Sequence, residues 1–236
     1  TCSATTTDAD GDSVTLSYVW TVDGITQSTT GPSLSGPFTY PSSISCTATP
    51  TDGIDQGTPA TAYTDIENTI PSIASVFLTP SSVYTNDLIS ASFSISDPDA
   101  TQSTSSTLEW HRIDAQTNTD SVVATSGNSL DGSVYFDKGD TIYLVVTPFD
   151  GFDYGSPTTS NSIVILNSAP SDPTIYTGPV APDVGVDDIH CYVNSQSSDA
   201  DGDTVQYTYV WTDNNGNADQ TTTTTALSDM YPGTLT

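Results

Sequence analysis

The chain has 236 residues, of which 29 are acidic and only 2 are lysine or arginine, for a formal charge of −27. Nucleic acids and anionic membranes bind proteins through basic patches, so this charge excludes both classes of partner. It suits multivalent cations or simple solubility in water. Residues that build long helices are scarce, whereas threonine, valine, isoleucine and tyrosine favour pleated strands. The composition predicts an all-β protein, and no apolar run approaches the ~20 residues of a membrane span.

An acidic motif followed by a strand opens the chain. Residues 8–12 are DADGD, and residues 14–20, VTLSYVW, place their large side chains on one parity, which predicts a strand with Trp20 facing inward. Asp23 and Gly24 are a hairpin signal. A second strand carries Cys46, and a turn, a closing strand and a linker follow, with the sequences TDGIDQGTP (51–59), TAYTDIEN (61–68) and NTIP (68–71).

The same order recurs further along the chain. The second unit has the strand-like segments SVFLTP and LISASFSIS, the loop SDPDA, the strand TLEWHRI, the strand DKGDTIYLVVTP, the turn FDGFDYGSP, the strand SIVIL and the linker NSAP (167–170). Within the long strand, Ile142, Leu144 and Val146 share one face. The third unit repeats DDIHCYV, then DADGD at 199–203, then TVQYTYVW at 204–211.

The spacing of these motifs sets a repeat of roughly 90 to 100 residues. Asn68 and Asn167 of the two linkers are 99 positions apart, and Trp110 lies 90 positions after Trp20 and 101 before Trp211. About seven short strands per unit fit a β-sandwich of the immunoglobulin type, with the three tryptophans in its core. We expect repeats at 1–70, 71–169 and 170–236, the first lacking its first strand and the third lacking its last two.

The three cysteines bear on this prediction. Alignment on the shared motifs places Ala91 at the position of Cys2 and Leu144 at the position of Cys46, so the second unit replaces both by apolar core residues. Joint replacement predicts a disulfide between Cys2 and Cys46 that links the two sheets. Two buried free thiols are the alternative. Cys191 aligns with Cys2, and we expect its partner beyond residue 236.

Together these features resemble a known family. The linkers NTIP and NSAP, a cysteine before DADGD, YVW followed by VDG, and TPxDG before the last strand are similar to tandem immunoglobulin-like repeats of the polycystic-kidney-disease (PKD) type. Such repeats occur in very large surface proteins of environmental microbes. The usual WDFGDG after the tryptophan strand is WTVDG in the first unit and WHRID in the second. The resemblance implies an extracellular location and is unspecific about function.

The acidic loops are candidate calcium ligands. Alternate carboxylates on a tight, glycine-containing loop can turn their oxygens toward one hard cation. In an immunoglobulin-like sandwich the acidic loop and the TPxDG loop lie at the same end, where the preceding linker also arrives. The candidates are Asp8, Asp10, Asp12, Asp52, Asp55, Asp97, Asp99, Asp150, Asp153, Asp199, Asp201 and Asp203. The alternative is that each aspartate caps its own loop by hydrogen bonds to backbone N–H groups.

No catalytic constellation is predicted. His111 and His190 fall in predicted strands, and we expect His111 and Arg112 to form an exposed patch. Lys138 is the only lysine, which excludes a repeated lysine–asparagine crosslink. The threonine run offers candidate O-glycan acceptors at Thr221, Thr222 and Thr223, with ordinary strand threonines as the alternative.

Two functions compete on this basis. The first is a non-catalytic structural repeat region of an extracellular stalk or filament, with copies of the same unit as partners and calcium as a stiffening ion. The cut terminal units would be completed by the same chain or by neighbours, since open edges invite strand pairing. The alternative is an adhesive or glycan-binding module of a large secreted protein, which predicts an exposed aromatic platform.

Overall fold

The computed structural model describes residues 1–99, 101–181, 183, 187, 189–212, 218–224 and 234–235, the last two segments by backbone alone. In this part the regular elements are almost all strands, so the predicted all-β class is confirmed. The first strands are β1 (Thr15–Val22), β2 (Ile25–Thr26), β3 (Ser43–Thr51) and β4 (Ala60–Asp65). The next are β5 (Ser72–Thr79), β6 (Val83–Tyr84), β7 (Leu88–Ser96), β8 (Ser105–Ile113), β9 (Asp120–Ala124) and β10 (Ser129–Asp131).

A single helical turn, α1 (Gly132–Tyr135), interrupts the strands and is capped by the Asp131 carboxylate, which accepts the N–H of Ser133. The remaining strands are β11 (Thr141–Phe149), β12 (Thr158–Thr159), β13 (Ile163–Leu166), β14 (Thr174–Gly178), β15 (Ile189–Ser195), β16 (Tyr207–Thr212), β17 (Ala218–Thr224) and β18 (Thr234–Leu235). Four residues of helix are far too few to cross a bilayer, and the described chain has no longer helix.

The chain divides into two compact units. Unit 1 comprises Thr1–Ser75, Phe93–Thr107 and Val146–Thr158, and unit 2 comprises Val76–Ser92, Leu108–Val145 and Thr159–Thr236. Strands β5, β7, β8, β11 and β12 contribute residues to both. The repeat boundaries expected at 70/71 and 169/170 stay a prediction.

The sheets are built largely from antiparallel neighbours. The first is β2-β1-β3-β4, in which the Asp23–Gly24 turn joins β1 to β2 as expected. The middle of the chain forms a three-stranded sheet, β10-β7-β5, and a six-stranded sheet, β6-β13-β11-β8-β9 with β12 on β11. Only the β6–β13 pair is parallel among the described pairs. The last part forms β14-β15-β18 and β16-β17.

The core of unit 1 forms around a tryptophan and a disulfide. Cys2 and Cys46 are bonded, as the aligned replacements predicted. Trp20 lies opposite Cys46 in the β1–β3 register and is 5 % exposed, and both pack with Ile44. Strand alternation explains this cluster, because Trp20 shares its parity with the inward-facing Tyr18 and Val22. The indole Nε1 of Trp20 donates to the carbonyl of Gly31 at 2.9 Å, which satisfies its only polar atom.

The core of unit 2 repeats this arrangement without a disulfide. Trp110 is fully buried, and its Nε1 donates to the carbonyl of Gly127 at 3.0 Å. Ile142 and Leu144 on β11 are also fully buried, on the face that the alternation predicts. Ala91, the aligned counterpart of Cys2, is half-buried on β7.

The third part of the chain is described less completely. Trp211 on β16 is half-buried. Cys191 on β15 has no disulfide, and burial raises the pKa of its thiol. The O-glycan candidates Thr221, Thr222 and Thr223 lie on β17, paired with β16, and their side chains fall outside the described part.

Candidate functional site

Acidic loop 1 (residues 8–12) and acidic loop 3 (residues 199–203) have the same internal structure. In loop 1, Oδ1 of Asp8 accepts the N–H groups of Asp10 at 2.9 Å and Asp12 at 3.1 Å. In loop 3, Oδ1 of Asp199 accepts the two equivalent N–H groups at 2.9 and 3.2 Å. The glycine of each loop has a positive φ, 84° and 73°, which residues with a Cβ rarely adopt. One carboxylate oxygen of the first aspartate therefore organises each loop.

Turn loop 1 (residues 50–57) and turn loop 2 (residues 148–155) also match each other. In turn loop 1, Oδ1 of Asp52 accepts the N–H groups of Ile54 and Asp55, both at 2.7 Å. In turn loop 2, Oδ1 of Asp150 accepts the equivalent groups at 2.8 and 2.7 Å. Both loops close with a 2.9 Å bond from a glycine N–H to a proline carbonyl. The N–H donors of Asp55 and Ile54 lower the pKa of Asp52 because they favour the ionised carboxylate.

The side chain of Asn68, in linker 1 (residues 68–71), contacts turn loop 2 and Gln102. Its Nδ2 group donates to Oδ2 of Asp150 at 3.0 Å and to Oδ2 of Asp153 at 2.9 Å. Its Oδ1 accepts from Nε2 of Gln102 at 2.6 Å. The amide of Asn68 thus uses both donors and its acceptor in this contact.

The electrostatics of Asp150 follow from this contact. The residue is only 2 % exposed, and burial by itself raises the pKa of its carboxyl. Hydrogen bonds from the N–H of Asp153, the amide of Asn68 and the N–H of Phe152 outweigh burial, so the pKa is lowered. Asp150 therefore stays ionised although it is covered.

The backbone of linker 1 makes two further contacts. The N–H of Thr69 donates to Oδ2 of Asp99 at 2.8 Å, while Oδ1 of Asp97 accepts the N–H of Asp99 at 2.7 Å. The carbonyl of Pro71 lies so close to Gly155 that a Cβ at that position would collide with it. Linker 1 therefore contacts two segments, residues 99–102 and turn loop 2, through a side chain, an N–H group and a carbonyl.

Linker 2 (residues 167–170) repeats the backbone contact. The N–H of Ser168 donates to Oδ2 of Asp201 at 2.6 Å. Here Lys138 takes part as well: its Nζ bonds Oδ1 of Asn167 at 3.2 Å and forms an ion pair with Asp203. The hydrogen bond that Lys138 donates to Asp203 raises the pKa of Lys138, so the ammonium group stays charged.

These contacts bear directly on the calcium hypothesis. Among the described residues, one group of three carboxylates gathers its oxygens within 4.8 Å, at Asp199, Asp201 and Asp203. That set fits a hard cation, although three carboxylates supply at most six of the 6–8 oxygens that Ca²⁺ takes. Lys138 already provides a positive charge there. At linker 1, amide hydrogens of Asn68 occupy the space between Asp150 and Asp153.

Five further calcium candidates lie together in unit 1. Asp8, Asp52 and Asp55 line one cleft of about 380 Å³, and Asp10 and Asp12 belong to the adjoining acidic loop. Loop capping by side-chain oxygens, the alternative to calcium, is present in acidic loops 1 and 3, in acidic loop 2 (residues 97–99) and in both turn loops.

A polar cluster on three neighbouring strands of the six-stranded sheet, β11, β8 and β9, was not anticipated. His111 on β8, Asp120 on β9 and Tyr143 on β11 meet, with Nδ1 of His111 3.1 Å from Oδ1 of Asp120 and 3.1 Å from the Tyr143 hydroxyl. The Tyr143 hydroxyl donates to Oδ2 of Asp120 at 2.5 Å. The cluster could not be predicted from the sequence because its residues are separated along the chain and are brought together only by the register of neighbouring strands.

The expectation of an exposed His111–Arg112 patch is wrong. The side chains are 18 % and 29 % exposed, since His111 stacks on Tyr143 at 4.6 Å and Arg112 pairs with Asp114 and Asp140. The hydrogen bond from Tyr143 lowers the pKa of Asp120. The bond to Asp120, together with burial, raises the pKa of Tyr143 to about 12.

No protein-family model matches this chain, and no curated protein sequence matches it.

Proposed function

We propose that the chain is a non-catalytic structural segment of tandem immunoglobulin-like repeats, of the PKD type, in an extracellular stalk or filament. In this proposal the acidic loops hold each linker at the pole of the next repeat. One observation carries it: the linker N–H to aspartate bond occurs twice, at Thr69–Asp99 and at Ser168–Asp201. A bond repeated at the same point of two units is expected of a joint.

The strand arrangement supports the immunoglobulin-like part of the proposal. Sheets β10-β7-β5 and β6-β13-β11-β8-β9 are consistent with the division of such a sandwich into two sheets, with the short early strand β6 parallel to the last strand of these two sheets, β13, at one edge. A buried tryptophan on the corresponding strand, with Nε1 bonded to a glycine carbonyl, occurs in β1 and β8. The disulfide beside Trp20 fits the same pattern.

The extracellular location is supported by chemistry. Disulfides persist in oxidising compartments and are rare in the cytosol of most organisms. The formal charge of −27 favours solubility in water.

Calcium enters the proposal only as an accessory ion at Asp199, Asp201 and Asp203. The three carboxylates would supply oxygens and neutralise its charge, in competition with Lys138. The direct bonds of Asn68 and Thr69 would hold the first joint without an ion.

Glycan binding is the second candidate function, and one observation favours it. Tyr176 and Tyr192 stack with ring centroids 4.8 Å apart, and Tyr176 is 54 % exposed. Exposed aromatic surface marks binding sites in soluble proteins. If this role is correct, Tyr176→Ala should abolish retention on a glycan array, whereas Tyr63→Ala, at an exposed tyrosine on another strand, should not.

Electron microscopy of the native material tests the structural role. Long fibres with an axial repeat of one or two units are expected. Discrete, separate particles at all concentrations would contradict a filament or stalk.

A further inference from the structure

Turn loop 1 has the structure of an occupied linker socket. Three of its hydrogen bonds, the two caps at Asp52 and the closing bond of Gly57, agree in length with those of turn loop 2 to within about 0.1 Å. Turn loop 2 holds Asn68 with Asp150 and Asp153. Asp52 and Asp55 are the corresponding residues of turn loop 1, so the same two acceptors are present there.

The other half of the socket is present as well. Acidic loops 2 and 3 accept a linker N–H on the third residue of the loop, Asp99 or Asp201. Asp10 is the third residue of acidic loop 1, whose backbone is organised by Asp8 as loop 3 is by Asp199. The side chain of Asp10 is exposed, whereas those of Asp99 and Asp201 are half-buried beneath their linkers.

Between these two loops lies the cleft of about 380 Å³ lined by Asp8, Asp52, Asp55 and Gly57. Its counterpart around turn loop 2 is closed by linker 1: Asp150 is 2 % exposed, whereas Asp52 is half-buried. Gly155 is buried beneath the Pro71 carbonyl, whereas Gly57 is exposed and its nearest neighbour is Pro50 of its own loop. The cleft has space for a further linker and is lined by two of the acceptors, Asp52 and Asp55, while Asp10 lies on the adjoining acidic loop.

We propose that this cleft is a third linker socket, which binds an extended Asn-Thr/Ser-x-Pro segment supplied by another repeat of the same kind. The asparagine amide donates to Asp52 and Asp55, the next N–H donates to Asp10, and the proline carbonyl passes over Gly57. This rests on the proposed function and extends it, because it names the contact by which the first repeat receives a neighbour. The side chains of Asn68 and Asn167 already make contacts within this chain, so neither of these two linkers fills the cleft.

Such a contact is weak between separate molecules. In a tandem chain a short linker is presented to its site at an effective concentration of about millimolar. A free peptide therefore has to be tested at millimolar concentration. An uncharged peptide avoids repulsion by the acidic surface, and acetyl-NTIPS-amide, the sequence of residues 68–72, meets this condition.

The test is a titration of the ¹⁵N-labelled full chain with acetyl-NTIPS-amide, followed by amide chemical shifts. Saturable shifts confined to residues 8–12 and 52–57 are expected. The peptide acetyl-DTIPS-amide, which replaces the amide donor by a carboxylate, should shift these signals at least tenfold less. Asp55→Asn, which replaces an acceptor by a donor, should abolish saturation, and Asp172→Asn, the same change at an exposed aspartate in another segment, should not.

Three results would overturn the socket: no saturable shift with the asparagine peptide, equal shifts with the aspartate peptide, or unchanged binding by Asp55→Asn. Fibres in the micrographs together with any of these would leave the structural role intact and remove only the third socket. If no fibres form but the peptide binds specifically, the filament role is wrong and the socket remains.

Discussion

The backbone N–H of Thr69 donates to the carboxylate of Asp99 at 2.8 Å, and the pair Ser168 and Asp201 repeats this bond at 2.6 Å. Thr69 and Ser168 are 99 positions apart, and each follows the asparagine of its linker. A charged acceptor makes such a bond stronger than one between neutral groups. The acidic loops therefore act on the linkers directly, and their negative charge has a structural use.

Changing Asn68 to aspartate should weaken the first joint. The substitution keeps the size of the side chain but replaces the N–H₂ group that bonds Asp150 and Asp153 by a third carboxylate. We expect Tm at pH 7 to fall by about 5 °C. The difference in Tm between variant and wild type should become smaller as the pH falls to 4.5. The introduced carboxyl is surrounded by like charges, so it takes up a proton before the neighbouring carboxylates do.

The matched control for this change is Asn194→Asp. Asn194 donates to the hydroxyl of Thr174 at 3.3 Å in an exposed position, so the same change of charge should cost little there. Differential scanning calorimetry of both variants provides the measurement. Equal Tm values for the two variants would show that the Asn68 contact does not stabilise the protein.

Calcium should have little effect on the wild-type chain. Lys138 neutralises Asp203, and Asn68 fills the space between Asp150 and Asp153. We expect the Tm in calcium chloride and in chelator to agree within about 1 °C. Lys138→Met should make Tm depend on calcium, because it leaves the carboxylates at 199, 201 and 203 without their cation.

Lys138→Arg serves as the control, since it keeps the positive charge and should remain insensitive to calcium. A wild-type Tm that falls strongly in chelator would show that a bound ion stabilises the native chain. That result would revive the calcium hypothesis in its original form.

Loss of the disulfide should destabilise unit 1 substantially. Cys2 and Cys46 are separated by 44 positions, and closing a loop of that length restricts the unfolded chain by about 4 kcal/mol in the chain-entropy treatment. Cys46→Ser should therefore lower the free energy of unfolding in urea by several kcal/mol. Cys191→Ser removes a thiol that forms no disulfide, and an equal loss in that variant would contradict this role for the bond.

Tyr143 should titrate above the ordinary range of a tyrosine hydroxyl. The hydrogen bond to Asp120 and burial raise its pKa to about 12, from an ordinary value of 10.0. A raised pKa means that the contribution to stability is complete below pH 10 and is lost as the pH rises toward 12, where the folded protein also gives up the proton. Carbon-13 NMR of the tyrosine Cζ atoms measures this directly.

Asp120→Asn should return the pKa of Tyr143 toward its ordinary value, because it removes the charged acceptor of the hydroxyl. Between pH 10 and 12 the free energy of unfolding should therefore decrease less in Tyr143→Phe than in the wild-type protein. A Tyr143 signal that titrates near pH 10 in the wild-type protein would contradict the geometry of the cluster.

The strands and the disulfide were open to prediction because they follow from local alternation and internal alignment. Trp20 and Leu144 are buried where parity places them, and Ala91 and Leu144 stand where the bonded Cys2 and Cys46 would align. The hairpin at Asp23 follows from the turn preference of Asp-Gly. These features depend on neighbours along the chain or one period away.

The contacts of the site were harder to predict from the sequence because they depend on tertiary geometry. Nothing adjacent in sequence shows that Asn68 reaches Asp150, 82 positions later, or that Lys138 reaches Asp203. The repetition of asparagine at positions 68 and 167 indicated the contact between Asn68 and Asp150. The metal-ligand prediction did not include this contact. His111 was misjudged for a similar reason, since its partner Tyr143 lies on another strand.

Hydrogen exchange at the amides of Thr69 and Ser168 tests most directly whether the acidic loops hold the linkers. Both amides should exchange at rates comparable to those of paired strand amides, and Asp99→Ala should accelerate exchange at Thr69 while leaving Ser168 unchanged. Exchange of both amides at the rate of a free peptide in the wild-type chain would contradict the proposed joints.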